Sequence, residues 1–271
     1  MKVDEWLKRA TKTLKNNGIG TARLDALVLL EDTMRHDRGW LLAHPEFELN
    51  SSQLKKLDHQ IKSRAKHEPL AYIRGKTEFY GREFKVNKDV LEPRPESETM
   101  IELLKKLPLP KKLLIADIGT GSGALAIMAK LEMPDSGVLA TDIDLKCLAI
   151  AKHNAQKLGA DVKFFKGNLL EPVYSLLATP YVLLCNLPYV PDNYQLNSAA
   201  MNEPKIAIFG GPDGLDLYRR LFEQIDSMPA KPKYILTESL PPQHKKLAKV
   251  AKKHDYKLAQ TTDFIQVFKN T

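Results

Sequence analysis

The sequence predicts an α/β protein: a doubly wound sheet with helices on both faces, preceded by a small all-α bundle and a β-hairpin. Three observations predict it. From residue 113 short apolar runs alternate with longer amphipathic ones, the pattern of strand and helix in succession. Before residue 75 the apolar spacing is helical throughout. Between these regions "TEFYGREFKVNKDV" turns to aromatic and β-branched residues around Gly81, which reads as a hairpin. The expected organisation is a helical domain over 1–74, a hairpin linker over 75–94 and an α/β domain over 95–271.

The elements follow in order. "VDEWLKRATKTLKNNG" sets Trp6, Leu7, Ala10 and Leu14 on one face and stops at Gly18. "TARLDALVLLEDTMRH" is a second helix with a broader apolar face. "SSQLKKLDHQIKSRAKH" opens on a serine cap and gathers Leu54, Leu57, Ile61 and Ala65. In "LEPRPESETMIELLKKL", Pro93 and Pro95 punctuate the chain before a helix. "KLLIADIG", "GVLATDI", "VKFFKGN", "YVLLCN" and "KYILTES" are strands. "GALAIMAKLEM", "LKCLAIAKHNAQKLG", "DGLDLYRRLFEQIDSM" and "PPQHKKLAKVAKKHD" are helices. "YKLAQTT" and "FIQVFK" add a final pair of strands.

Composition narrows the function classes. At 43% hydrophobic and 27% charged, the chain has the balance of a folded globular protein. No apolar stretch approaches the roughly 20 residues of a membrane span. "MKVDEWLKRA" lacks the apolar core of a secretory signal. Cys147 and Cys185 both sit in apolar runs, which reads as buried free thiols in a reducing cytoplasm. No histidine pair has metal-ligand spacing, so no metal is expected. A net charge of +8 permits a nucleic-acid or acidic-protein partner. The basic residues are dispersed, however, which favours a solvated lysine-rich surface.

The chemistry begins at "ADIGTGSGALA". Gly119, Gly121 and Gly123 permit a tight strand-to-helix turn and close approach of a ligand. Asp142 ends the next strand about 20 residues later, where an acid grips a ribose diol. A surface-loop acid is the bland alternative. The glycines do not follow the GxGxxG spacing of nicotinamide-binding turns, and Asp117 stands two residues before the first. "DIGTGSG" resembles motif I of class I S-adenosylmethionine-dependent methyltransferases. The resemblance implies a Rossmann-like methyltransferase sheet and S-adenosylmethionine as cofactor. It further implies that Asp117 organises the loop and the methionine amino group, and that the loop from Gly119 through Thr120, Gly121 and Ser122 to Gly123 passes under the methionine moiety. Asp142, with Ile143 beside it, takes the ribose end. Asn168 and Leu169 follow the third strand, where relatives contact adenine. Many relatives have Asp at the Asn168 position.

"CNLPYVP" ends the fourth strand of the sheet, at the edge where open α/β sheets bind ligands. Asn186, Leu187, Pro188 and Tyr189 resemble the Asn-Pro-Pro-Tyr-type motif of methyltransferases acting on a planar amide or amino nitrogen. Such a nitrogen has a delocalised lone pair and is a poor nucleophile. Two acceptors that hold its hydrogens aim the lone pair at the methyl group. The Asn186 side-chain oxygen and the Leu187 carbonyl are the candidates, with Pro188 fixing the turn and Tyr189 packing on the flat target. A proline-terminated strand with a packing tyrosine is the structural alternative.

Leu187 in "NLPY" is closer to rRNA adenine dimethyltransferases, so an adenine N6-methyltransferase on rRNA or DNA shares this reading. The rest of the chain points elsewhere. "EPLAYIRGKTEFYGREFKVNKDVLEPRPESE" (68–98) and "NEPKIAIFGGPDGLDLYRRL" (202–221) resemble the peptide chain release factor N5-glutamine methyltransferases. That resemblance spans nearly the whole chain. It implies methyl transfer to the Gln of the GGQ motif of class 1 release factors, with the helical domain helping to dock them. It also implies a cytoplasmic, monomeric enzyme without stable nucleic-acid or membrane binding. A non-catalytic module that keeps the fold is a third reading. The chain departs from the family at the C-terminus: "TTDFIQVFKNT" lacks the usual Gly and Arg. At Ser239-Leu240 it lacks the usual Gly after the acidic Glu238. Arg94 and Glu96 either line the cleft or form a structural ion pair.

Overall fold

Helices open the chain: α1 (Val3–Asn16), α2 (Ala22–Met34), α3 (Arg38–Ala43), α4 (Ser51–Ala65) and α5 (Leu70–Arg74), of which α1, α2 and α4 carry apolar residues at helical spacing. The computed structural model describes residues 1–177, 181–196 and 198–271. Trp6 and Leu14 of α1, Leu29 and Leu30 of α2 and Leu57 of α4 share one buried core. Inside it Arg64 Nε donates to Asp25 Oδ2 at 2.7 Å, a pair with little solvent access on either side. The cap of α4 is Asn50, one residue before the expected serine. Its side chain accepts from Gln53 N, and the Gln53 side chain accepts from Asn50 N, a reciprocal box that serine at 51 cannot make from inside the helix. Helices α3 and α5 were not expected; six and five residues are too few for periodicity to register. These helices and Leu196–Asn202 form one compact unit.

The second unit comprises Lys76–Gln195 and Glu203–Thr271. It opens with β1 (Lys76–Phe79) and β2 (Arg82–Lys85), paired antiparallel. Tyr80 and Gly81 both have positive φ, 53° and 68°, which matches the twist of a two-residue hairpin. Phe79 and Phe84 meet edge to face and bury into the core with Met100 and Ile127. The hairpin is therefore built into the core of this unit. After α6 (Glu98–Lys106) strands and helices alternate: β3 (Leu114–Ile118), α7 (Ala124–Glu132), β4 (Gly137–Asp142), α8 (Leu145–Leu158), β5 (Lys163–Lys166), β6 (Tyr181–Cys185), α9 (Asp216–Asp226), β7 (Tyr234–Glu238), α10 (His244–Lys253), β8 (Tyr256–Thr262) and β9 (Ile265–Asn270).

The sheet order is β5-β4-β3-β6-β7-β9-β8. Its first five strands are parallel; β9 runs antiparallel to both β7 and β8. Alternate residues of the central strands face opposite cores. Ile115, Val182 and Leu184 pack with α6 and α7, and Ala116, Leu183 and Ile235 pack with α9 and α10. Burial on both faces explains why β6 is apolar at every position. The chain runs outward from β3 to β5, then returns to β6 on the other side. That reversal opens a crevice at the carboxyl ends of β3 and β6. Among the described residues no helix is long and apolar enough to cross a membrane.

Candidate active site

A cleft of about 570 Å³ lies at that reversal. One end is built from the turn after β3. Gly119, Gly121 and Gly123 have φ of 76°, 55° and 85°, a conformation open to glycine at little cost. Four of the turn's amides are bonded within the protein. Gly119 N and Thr120 N both donate to Thr141 O at 2.9 Å, Gly123 N to Thr120 O at 2.8 Å, and Gly121 N to Asp142 Oδ2 at 2.9 Å. Asp117 Oδ2 accepts from Thr120 Oγ1 at 2.6 Å and from Ala126 N at 3.1 Å, tying strand, turn and helix together. Burial pushes the Asp117 carboxyl up to about 7, and the nearby Asp142 adds to the rise.

Asp142 closes β4 with each oxygen holding one amide: Oδ2 that of Gly121, Oδ1 that of Asp144 at 2.9 Å. Each carboxylate oxygen can accept more than one hydrogen bond. Burial raises the Asp142 carboxyl as well. Ile143 is 56% exposed and lines the cleft with Asn168 and Leu169. Asn168 Nδ2 donates to Glu171 Oε1 at 2.8 Å, which turns its side chain partly toward the protein. Leu169 sits at φ 53° with its carbonyl held by Thr141 Oγ1.

The other end is made of side chains. Asn186 Nδ2 donates to Ser97 Oγ at 3.0 Å, Ser97 Oγ donates to Glu238 Oε2 at 2.6 Å, and Tyr189 OH donates to Glu238 Oε1 at 3.0 Å. Ser97 and Glu238 are buried, so these bonds have no water to replace them. The Tyr218 hydroxyl donates to Glu238 O at 2.5 Å and lies 3.0 Å from Cys185 O, tying the ends of β6 and β7. Gln243 Nε2 donates to Tyr189 O at 2.7 Å. Two glycines of "GGPDGLD" press on the same backbone. A Cβ on Gly210 would stand 2.2 Å from Pro188 O, and one on Gly214 would stand 2.0 Å from Tyr189 O.

Most of the expected residues meet in the cleft: Asp117, Gly119, Thr120, Gly121, Ser122, Asp142, Ile143, Asn168, Leu169, Asn186, Leu187 and Pro188 line it. Two differ. Gly123 caps α7, and a side chain there would meet Ala151 Cβ and Ile127 Cδ1 at 3.0 Å, so it serves helix packing. Tyr189 lies behind the lining; its ring packs on the core of α9 and α10, and its hydroxyl is held by Glu238. Leu187 lines the cleft, but its side chain is 2% exposed and would touch a Cβ on Gly119 at 3.1 Å. Cys147, expected buried, is only half-buried. Its thiol donates to Asp89 O, and burial pushes it up to about 12, leaving it inert. Arg94 lines the cleft and also pairs with Glu203 at 2.6 Å. Reasoning from sequence missed Ser97, Gln243, Gly210 and Gly214. Only the glycines carried a signal, as a cluster without a helix to cap.

Fold and site together define a class I methyltransferase that uses S-adenosylmethionine: a mixed seven-stranded sheet, a glycine turn after its first strand, an acid at the end of the next strand and an Asn-x-Pro-Tyr loop. Known proteins agree. Residues 5–75 match the PrmC N-terminal domain, and residues 96–201 match the methyltransferase small domain. The release factor glutamine methyltransferase of Coxiella burnetii is 39% identical over 86% of this chain and 85% of its own length. That of Bacillus subtilis is 36% identical over 82% of this chain and 80% of its own. The crystal structure of the hMettl16 catalytic domain shares the fold at 14% identity, with a TM-score of 0.54 over 82% of each chain. The chain belongs to the release factor glutamine methyltransferase family.

Proposed function

We propose that the chain transfers a methyl group from S-adenosylmethionine to the side-chain amide nitrogen of the Gln in the GGQ motif of class 1 peptide chain release factors, as a cytoplasmic monomer. The observation that carries this is the bond from Asn186 Nδ2 to Ser97 Oγ. With its NH2 group used there, Asn186 offers the cleft an oxygen. Asn186 Oδ1 and the Leu187 carbonyl then make two acceptors, one for each hydrogen of a primary amide.

Bound S-adenosylmethionine supplies a methyl group on a positively charged sulfur. The remaining work belongs to the chain. Asp142 holds the ribose hydroxyls, the Gly119–Gly121 turn with Thr120 and Ser122 leaves room beside the methionine moiety, and Ile143, Asn168 and Leu169 flank the base. Asp117 keeps the turn in shape and places negative charge near the methionine end. Asn186 and Leu187 hold the amide plane so that its weak lone pair faces the methyl carbon. As the nitrogen–carbon bond forms, the methyl group's bond to sulfur would break and its electron pair would stay with sulfur, leaving S-adenosylhomocysteine as a neutral thioether. Positive charge grows on nitrogen, the two acceptor dipoles stabilise it, and the surplus proton passes from the nitrogen to solvent. The helical domain, 1–74, helps dock the release factor, and the hairpin region, 75–94, joins it to the transferase domain, 95–271.

Radiolabelled S-adenosylmethionine offered with a purified release factor, its GGQ Gln→Ala variant and total RNA tests the proposal. Label is expected on the parent factor alone. Label on RNA would mean an adenine acceptor. Label on neither would leave a binding module.

A further inference from the structure

Glu238 touches neither expected substrate, yet its carboxylate ends a directed chain of hydrogen bonds. We propose that Glu238 is a positioning residue: through Ser97 it fixes which end of the Asn186 amide faces the methyl acceptor. This rests on the assignment of Asn186 as an acceptor of the substrate amide.

The direction follows from counting hydrogens. A carboxylate only accepts. Glu238 takes the Ser97 hydroxyl hydrogen on Oε2 and the Tyr189 hydroxyl hydrogen on Oε1. A serine has one such hydrogen, so toward Asn186 the Ser97 oxygen can only accept. Asn186 must therefore present its NH2 group to Ser97, and its oxygen is left for the cleft. An amide's two ends are nearly identical in shape, so packing cannot tell them apart; only hydrogen-bond polarity can. Burial makes that polarity strict. Glu238 is 1% exposed and Ser97 3%, so solvent cannot supply a missing hydrogen. Burial pushes the Glu238 carboxyl up, and the Ser97 and Tyr189 hydroxyls pull against that rise together with the Asn186 side chain, whose NH2 group alone can donate to a carboxylate.

Glu238→Gln keeps the size and removes the polarity. One oxygen becomes a donating NH2 group. If it faces Ser97, the serine hydrogen turns to Asn186, which then offers Ser97 its oxygen and points its own NH2 at the substrate's NH2. The backbone frame does not depend on this side chain, because Tyr218 binds the carbonyl of residue 238. The defect should therefore appear in orientation and not in folding.

The test uses the full chain, S-adenosylmethionine and a purified release factor, with variants Glu238→Gln, Ser97→Ala and Asn186→Ala. Glu238→Gln and Ser97→Ala should each lower kcat by about 10²-fold, the size of effect that a small misplacement of a reacting group produces. Cofactor affinity by calorimetry, KM for the release factor and Tm should stay near parental values. Combined with Asn186→Ala, the Glu238→Gln change should cost nothing more, since its target is gone. Near-parental kcat in both variants, with Asn186→Ala inactive, would overturn the inference and leave the reading of Asn186 standing. Losses of kcat, affinity and Tm in parallel would make both residues merely structural and overturn it too. Full transfer by Asn186→Ala would instead overturn the underlying assignment. Should Glu238→Gln fail to fold, Ser97→Ala, which removes one buried oxygen, decides.

Discussion

The two ends of the cleft are held in different ways. At the cofactor end, main-chain amides of the glycine turn are bonded to the carbonyls of Thr141 and Thr120 and to the buried Asp142, while the buried Asp117 ties the Thr120 hydroxyl to the Ala126 amide. At the acceptor end, a row of side chains from distant parts of the chain, Asn186, Ser97, Glu238 and Tyr189, sets the geometry. A backbone site tolerates the exchange of side chains that only line it. A side-chain site fails when any one link loses its polarity. The contrast suits the two ligands: one end must hold a cofactor in place, while the other must choose the orientation of a planar nitrogen.

Substitutions can break this contrast. The largest effect is expected from Asn186→Ala, which should lower kcat by about 10²- to 10³-fold, the range seen when one group that stabilises transition-state charge is removed. Calorimetry should show near-parental cofactor affinity. Gly210→Ala comes next. Its methyl group would collide with Pro188 O and shift the acceptor loop, so kcat should fall by about 10²-fold, with affinity for the cofactor less affected. Asp142→Ala should do the reverse, weakening cofactor binding by about 10- to 100-fold, the worth of charge-assisted hydrogen bonds, while saturating cofactor restores much of the rate.

A gentler test is pH. Asp117, pushed up to about 7, carries a proton in the free enzyme below that value. A cation bound beside it favours its ionised form. Cofactor affinity should therefore rise with pH up to about 7 and level off above it. Asp117→Asn should flatten the profile. The sign for stability is opposite. Between the ordinary Asp value of 3.8 and about 7, the free folded state holds a proton that the unfolded chain has lost, so stability falls as pH rises through that window. The smallest effect on chemistry is expected from Leu187→Ala. It should lower stability by about 2–5 kcal/mol through the void left in the core, read as a lower Tm, with label still appearing on the same acceptor.

The cofactor end was the more legible in the sequence, for a physical reason. Its parts are consecutive or one strand apart, and glycines at positive φ leave a mark in the residue string. The acceptor end showed only Asn186 to Tyr189. Ser97 comes from 89 residues before Asn186 and Glu238 from 49 residues after Tyr189, and no local pattern announces a serine that will meet a glutamate. The alternation of strands and helices was likewise readable from periodicity. The interior place of β9 was not, since strand order comes from packing between elements. Nor could the sequence show which core receives Phe79 and Phe84 of the hairpin.

Leu187 is the one letter of the motif that pointed toward RNA. Its side chain is turned into the core beneath Gly119, and the role proposed for it falls to its carbonyl. Every amino acid has that carbonyl. The second letter of such a motif is therefore a packing choice that can change as the residues beneath it change. Sorting Asn-x-Pro-Tyr sequences into protein-modifying and RNA-modifying groups by this letter would file this chain under the wrong heading.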